Sequence, residues 1–163
     1  MQINNRTDQD ALLITKICLS TAARWDEAES LQITQLHSGM VHYTKTKTDR
    51  NRSVPIDEKL ADEIRTFYES KESNLAGRIF KGSVGAFRMA VKESGIELMP
   101  GQLTHVLRHT FASHFVMSGG NILTLQKVLG HRDLKTTMIY AHLSPEHLQE
   151  TKVLNPLSRL TLG

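Results

Sequence analysis

The sequence predicts a mainly α-helical domain with one small antiparallel β-sheet, an α+β fold. Three observations lead there. Apolar residues recur at helical spacing through most of the 163 residues, alternating segments are confined to about 33–56, and strands do not alternate with helices as they would around a parallel sheet. A hydrophobic content of 39% and a mean hydropathy of -0.30 suit one domain long enough to bury a core.

Asp8 to Ser20 reads as a helix because Leu12, Leu13, Ile14, Ile17 and Cys18 crowd one broad apolar side. A short helix from about Trp25 to Leu31 follows, with Arg24 at the junction. Extended segments are expected at about Ile33 to His37, Val41 to Thr46 and Ser53 to Ile56, joined by turns at Ser38-Gly39 and Asp49-Arg50-Asn51. On the second strand Val41, Tyr43 and Lys45 point one way and His42, Thr44 and Thr46 the other, while Lys47 lies where the strand enters the basic turn. Helices resume at Asp57 to Lys71, with Leu60, Ile64 and Phe67 inward, and at about Ser83 to Glu93, with Phe87, Ala90 and Val91 inward. Thr104 to Met117 forms a helix closed by Gly119-Gly120, and its Leu107, Phe111 and Phe115, four apart, should face the core. Asn121 caps a helix ending at Gly130, and Asp133 starts the next, which carries Tyr140. Ser144-Pro145 begins a last helix that Asn155-Pro156 stops.

The formal charge is only +3, and its distribution says more than its size. His42 to Arg52 holds Lys45, Lys47, Arg50 and Arg52 against one acid, Asp49, a strip able to rest on phosphates or to form a solvated hairpin tip. Cys18 is the one cysteine, so no internal disulfide forms, and its apolar setting suits a buried thiol in a reducing compartment. The first five residues lack signal-peptide character and no apolar run approaches membrane-spanning length, which points to a cytoplasmic protein with no membrane partner.

Six residues carry chemistry: Arg24, Lys47, His105, Arg108, His131 and Tyr140. Breaking a phosphodiester without a metal calls for fixed cations on the phosphoryl oxygens, a nucleophile, and a proton donor for the leaving oxygen. Each part is present. His105 and Arg108 sit three apart on one helix face, His131 follows Gly130, and Tyr140 lies nine residues on. Glu27, one turn beyond Arg24, can fold back to orient its guanidinium. Blander readings exist singly: Tyr140 as a core aromatic, His131 as the residue after a helix stop, His109 and His114 as structural or solvent-facing. His105 and His109 have the spacing of a zinc pair, but the intervening glutamate of His-Glu-x-x-His is missing, so neither a metal nor a cofactor is expected.

Taken in order, these residues resemble the catalytic domain of the tyrosine recombinases, and within them the integrases of temperate bacteriophages. Arg24 with Glu27 resembles the first box, and Lys47, ahead of Val54-Pro55-Ile56, the hairpin lysine. His105 through Ala112, His-Val-Leu-Arg-His-Thr-Phe-Ala, is similar to the second box, and Leu129-Gly130-His131 with Tyr140 to the last. Ala23 stands where the family commonly has glycine, tolerable if the backbone there needs no positive φ. The resemblance implies that Tyr140 attacks the scissile phosphate to form a 3′-phosphotyrosyl bond. Arg24 and Arg108 would hold the non-bridging oxygens with help from His131, Lys47 would protonate the departing 5′ oxygen (Lys45 being the alternative), and His105 would assist proton movement. It also implies DNA contacts by Lys45, Arg50 and Arg52, and double-stranded DNA attachment sites as partner. A homo-oligomer, dimer or tetramer, would form on that DNA, with DNA-bending proteins as accessories; the tail at about 144–163 packs either on a neighbouring copy or on its own domain. Residues 1–163 are then a single catalytic domain, the family's amino-terminal DNA-binding domain lying outside the chain. The rival readings are a type IB topoisomerase-like enzyme, a non-catalytic DNA-binding regulator on this fold, and, a poor third, a metal-dependent nuclease.

Overall fold

The computed structural model describes residues 6–44, 51–71, 77–145 and 150–159. The first helix, α1 (Arg6–Thr21), is the spine: α2 (Trp25–Glu29), α4 (Val84–Glu93) and α5 (His105–Met117) all pack on it. Leu13, Ile14, Ile17 and Cys18 are buried as their spacing predicts, whereas Leu12 is 53% exposed and leaves the apolar face. A buried ion pair, Lys71 Nζ to Asp10 Oδ1 at 3.3 Å, ties α1 to the end of α3 (Glu58–Glu69), and Lys71 also donates to the Ile79 carbonyl.

The sheet is antiparallel in the order β1 (Leu36–His37), β2 (Met40–Tyr43), β3 (Arg52–Pro55). Ser38 (φ +53°) and Gly39 (φ +69°) both take the left-handed conformation that a tight two-residue hairpin requires. Val41 and Tyr43 are buried while His42 is half-buried, the alternation expected of one covered face. The first strand is shorter than its sequence suggests. Ile33–Gln35 forms a 3₁₀ turn because the Gln35 side chain takes over local bonding, accepting from the Gln32 N–H at 3.0 Å and donating to the His42 carbonyl at 2.7 Å. The far end of the second strand and most of the basic turn lie outside the described residues.

Two clusters divide the core. The larger joins α1 and α2 to the sheet, α3 and α4, with Trp25 stacked on Phe87 at 4.7 Å. The smaller gathers Ala112 and Val116 of α5, Leu125 and Leu129 of α6 (Ile122–Leu129), Ala22 and Tyr140. Phe111 and Phe115, expected in the core, are only partly buried, packing against this cluster from its edge, and Ala90 faces solvent. Asn121 caps α6 through Oδ1, accepting from Leu123 N at 2.8 Å, and Gly130 ends it at φ +71°. Asp133 likewise caps α7 (Leu134–Thr137). The helix expected to carry Tyr140 tightens there into a 3₁₀ segment, Met138–Leu143. A short α8 (Thr151–Leu154) follows and ends at Asn155, ahead of Pro156.

Candidate active site

Arg108 is the electrostatic centre. Its guanidinium is buried, which is costly for a charge unless strong acceptors surround it. Two helix ends supply them: Nη1 donates to the Ala22 carbonyl, just past α1, at 2.8 Å, and Nη2 to the Leu129 carbonyl, the last residue of α6, at 2.5 Å. Carbonyls at helix C-termini lack intrahelical partners and carry the negative end of the dipole, so they suit a cation. Ala22 reaches this position in the left-handed region, φ +57°, at a strain of about 1–2 kcal/mol for a residue with a Cβ. The backbone demand thus falls on Ala22, while Ala23 takes no positive φ and its methyl is tolerated.

Arg24 follows, half-buried at the start of α2. Glu27 Oε2 accepts its backbone N–H at 2.8 Å, while Glu27 Oε1 stands 3.8 Å from its Nη1. The closer partner of Glu27 is Arg52, whose Nη1 and Nη2 reach the two carboxylate oxygens at 3.0 and 2.7 Å. Arg52 is therefore a correction: expected on DNA, it is buried, forked onto Glu27 and laid 4.5 Å over the Tyr43 ring. On β3 it lies opposite Tyr43, on the covered face of the sheet. Burial pushes the Glu27 carboxyl up, but the Arg52 hydrogen bonds and charge prevail and hold it below the ordinary glutamate value. Glu27 thus anchors the Arg24 backbone more firmly than it anchors the guanidinium.

His105 opens α5, exposed, and shares with Arg24 the wall of a cleft of about 230 Å³ also lined by Trp25, Glu29 and Thr104. His131 is half-buried, its Nδ1 3.0 Å from the hydroxyl of the fully buried Thr137. Its backbone is clamped to Gln126, His131 N donating to Gln126 O at 3.1 Å and Gln126 Nε2 to His131 O at 3.2 Å. Tyr140 is 6% exposed, and its hydroxyl lies 2.6 Å from His109 Nδ1. Burial raises the Tyr140 phenol pKa while the Arg108 charge pulls the other way. Lys45, Lys47 and Arg50 lie outside the described residues. Among the described residues no three metal-ligating side chains converge.

The sequence matches the model of the phage integrase family over residues 1–147. The chain belongs to that family. It is 52% identical over 160 residues to the integrase of Escherichia phage 186, covering 98% of this chain and 46% of that one. It is 33% identical over 141 residues to tyrosine recombinase XerA of Saccharolobus solfataricus, covering 84% of this chain and 47% of that one. Among solved structures it superposes on the catalytic domain of bacteriophage HP1 integrase with a TM-score of 0.80 at 43% identity, over 96% of each chain. The chain thus spans about half the length of the curated relatives it matches, and its fold is that of a tyrosine recombinase catalytic domain.

In this integrase-family domain, three side chains take partners that the sequence does not specify, and one of them, Thr137, goes unmarked in it altogether. His109, expected to make a structural hydrogen bond or face solvent, does both: the residue is exposed and its Nδ1 meets the Tyr140 hydroxyl. Thr137 fixes the His131 ring, and nothing in the spacing marks it. Charge alone points Arg52 at phosphate, whereas β3 begins one residue earlier than expected and its alternation, with Val54 inward, turns Arg52 toward the core.

Proposed function

We propose that the chain is the catalytic domain of a site-specific DNA recombinase, an integrase that cleaves and rejoins double-stranded DNA through Tyr140. The Tyr140 oxygen attacks phosphorus, a 3′-phosphotyrosyl bond forms, and the bond to the 5′ oxygen breaks. Lys47 gives the departing oxygen its proton. Arg24 and Arg108 take the charge that builds on the non-bridging oxygens, His131 adds a hydrogen bond, and His105 assists proton movement at the Arg24 side of the cleft. A guanidinium has five N–H donors, so the two carbonyl bonds that fix Arg108 are compatible with a phosphate on the same group. Attack by a 5′-hydroxyl reverses the step: the original one reseals the strand, another recombines it. The covalent bond conserves the energy of the phosphodiester, and the steps call on no cofactor.

The observation that carries this reading is the pre-formed Arg108: a buried cation fixed by two helix ends, its charge acting on the phenol of Tyr140. A regulator that only bound DNA would have no need of that arrangement. The proposed partners are DNA attachment sites and further copies of this protein on the DNA, with DNA-bending proteins as accessories. Val153 and Leu154 of α8, 67% and 65% exposed, offer apolar surface for a second copy to cover. The test uses nicked suicide duplexes with randomised sequence around the nick, from which reactive members are selected by covalent capture. Wild type should yield protein–DNA adducts in EDTA, and Tyr140→Phe should yield none while still binding. Equal adducts from Tyr140→Phe, or loss of adducts in EDTA, would refute it.

A further inference from the structure

A phenol is a weak nucleophile until its proton leaves, and the Tyr140 ring is largely buried with its hydroxyl in a part-buried contact. The atom facing it is His109 Nδ1, 2.6 Å away, with the two rings tilted at 48° and their centroids 5.9 Å apart. His109 itself is exposed on α5, so one edge of the imidazole meets the buried hydroxyl while the residue reaches solvent. A ring so placed links the phenolic proton to bulk water.

Resting on the function proposed above, we infer that His109 is a further catalytic residue, the acceptor of the Tyr140 phenolic proton. As the Tyr140 oxygen bonds to phosphorus, its O–H electron pair becomes the new P–O bond and the proton passes to Nδ1, giving an imidazolium. Lys47 separately protonates the 5′ oxygen. On rejoining, the imidazolium returns the proton to the phenol oxygen as the phosphotyrosyl bond breaks. The starting state is suitable: burial first, then the neighbouring His105 and Arg108, hold the imidazole below the ordinary histidine value and favour its neutral form. Negative charge gathering on the phosphoryl oxygens offsets the imidazolium that forms.

The experiment measures single-turnover adduct formation on the selected suicide duplex. His109→Ala should slow it by about 100-fold or more, the usual range for a lost acid–base group, without weakening DNA binding. Added imidazole should restore the rate in proportion to its concentration for His109→Ala and leave wild type unchanged. His109→Asn places an amide where Nδ1 was, able to hold the hydroxyl but not to take its proton, and should be as slow as alanine. Recovery by asparagine, or absence of imidazole rescue, would reduce His109 to a positioning role and overturn the inference. Wild-type rates in His109→Ala would do the same. Failure of wild type itself to form an adduct removes the function and this inference together, so the two failures are told apart.

Discussion

Replacing Arg52 with alanine should destabilise the domain by about 3–5 kcal/mol, the range for breaking a buried ion pair from one side. The local geometry supports that range. The side chains of Arg52 and Glu27 are 4% and 8% exposed and joined by two hydrogen bonds at 3.0 and 2.7 Å, so water cannot replace the lost partner. Alanine also removes the guanidinium from the Tyr43 ring, worth about 0.5–2 kcal/mol. For a domain of this size the melting temperature should fall by about 6–20 °C. Arg52→Lys keeps the charge but loses the fork, and should fall between the two. The pH dependence has a definite sign. The folded Glu27 carboxyl lies below its unfolded value, so the pair stabilises fully above that unfolded value and loses its contribution as pH falls through the folded one. The gap between wild type and Arg52→Ala, followed by circular dichroism melts, should be full at neutral pH and shrink below about pH 4. A melting temperature within about 2 °C of wild type, combined with a salt dependence of DNA binding flatter by about one phosphate contact, would refute the reasoning and return Arg52 to the DNA.

Thr137→Val removes the hydroxyl beside His131 Nδ1 with little change of shape; it should cost about 1 kcal/mol of stability and lower the adduct rate several-fold, and an unchanged rate would show that the His131 ring needs no such anchor. Ala22→Gly relieves about 1–2 kcal/mol of left-handed strain against about 0.4–1 kcal/mol of unfolded-chain entropy and roughly one buried methyl, so stability measured in urea should stay within about 1 kcal/mol of wild type. Ala23→Gly, with no strain to relieve and the same methyl to lose, should cost about 1–2 kcal/mol; the opposite order would place the backbone demand wrongly. Lys47→Ala should abolish cleavage of an ordinary phosphodiester and recover on a 5′-bridging phosphorothiolate, because sulfur departs without a proton; failure of that rescue would point to Lys45.

Legibility followed the physics of each signal. Helices such as α3 and α6 are plain because capping residues and apolar spacing act within a few residues: Asn121 caps where its sequence says, Asp57 caps the helix it is expected to open, and Gly130 stops α6 in the left-handed region. Ile33–Gln35 reads as strand because β-propensity cannot register that one glutamine side chain takes up local hydrogen bonds. In the site, the identity of Arg108 was legible from its box. Its anchorage on the Ala22 and Leu129 carbonyls was not, since those acceptors are backbone atoms that any sequence supplies. Arg52 shows the opposite failure: four cations within the segment suggested phosphate, yet alternation across β3 decides which of them faces in. Tyr140 sits in the core as its blander reading expects, with its hydroxyl held by the titratable His109.

The most direct measurement is to digest the trapped wild-type adduct and locate the nucleotide-bearing peptide by mass spectrometry. DNA joined through its 3′-phosphate to Tyr140, with a free 5′-hydroxyl on the released strand, is the predicted result. DNA on Tyr43 or Tyr68, or a cleaved strand ending in a 5′-phosphate with no protein attached, would contradict it.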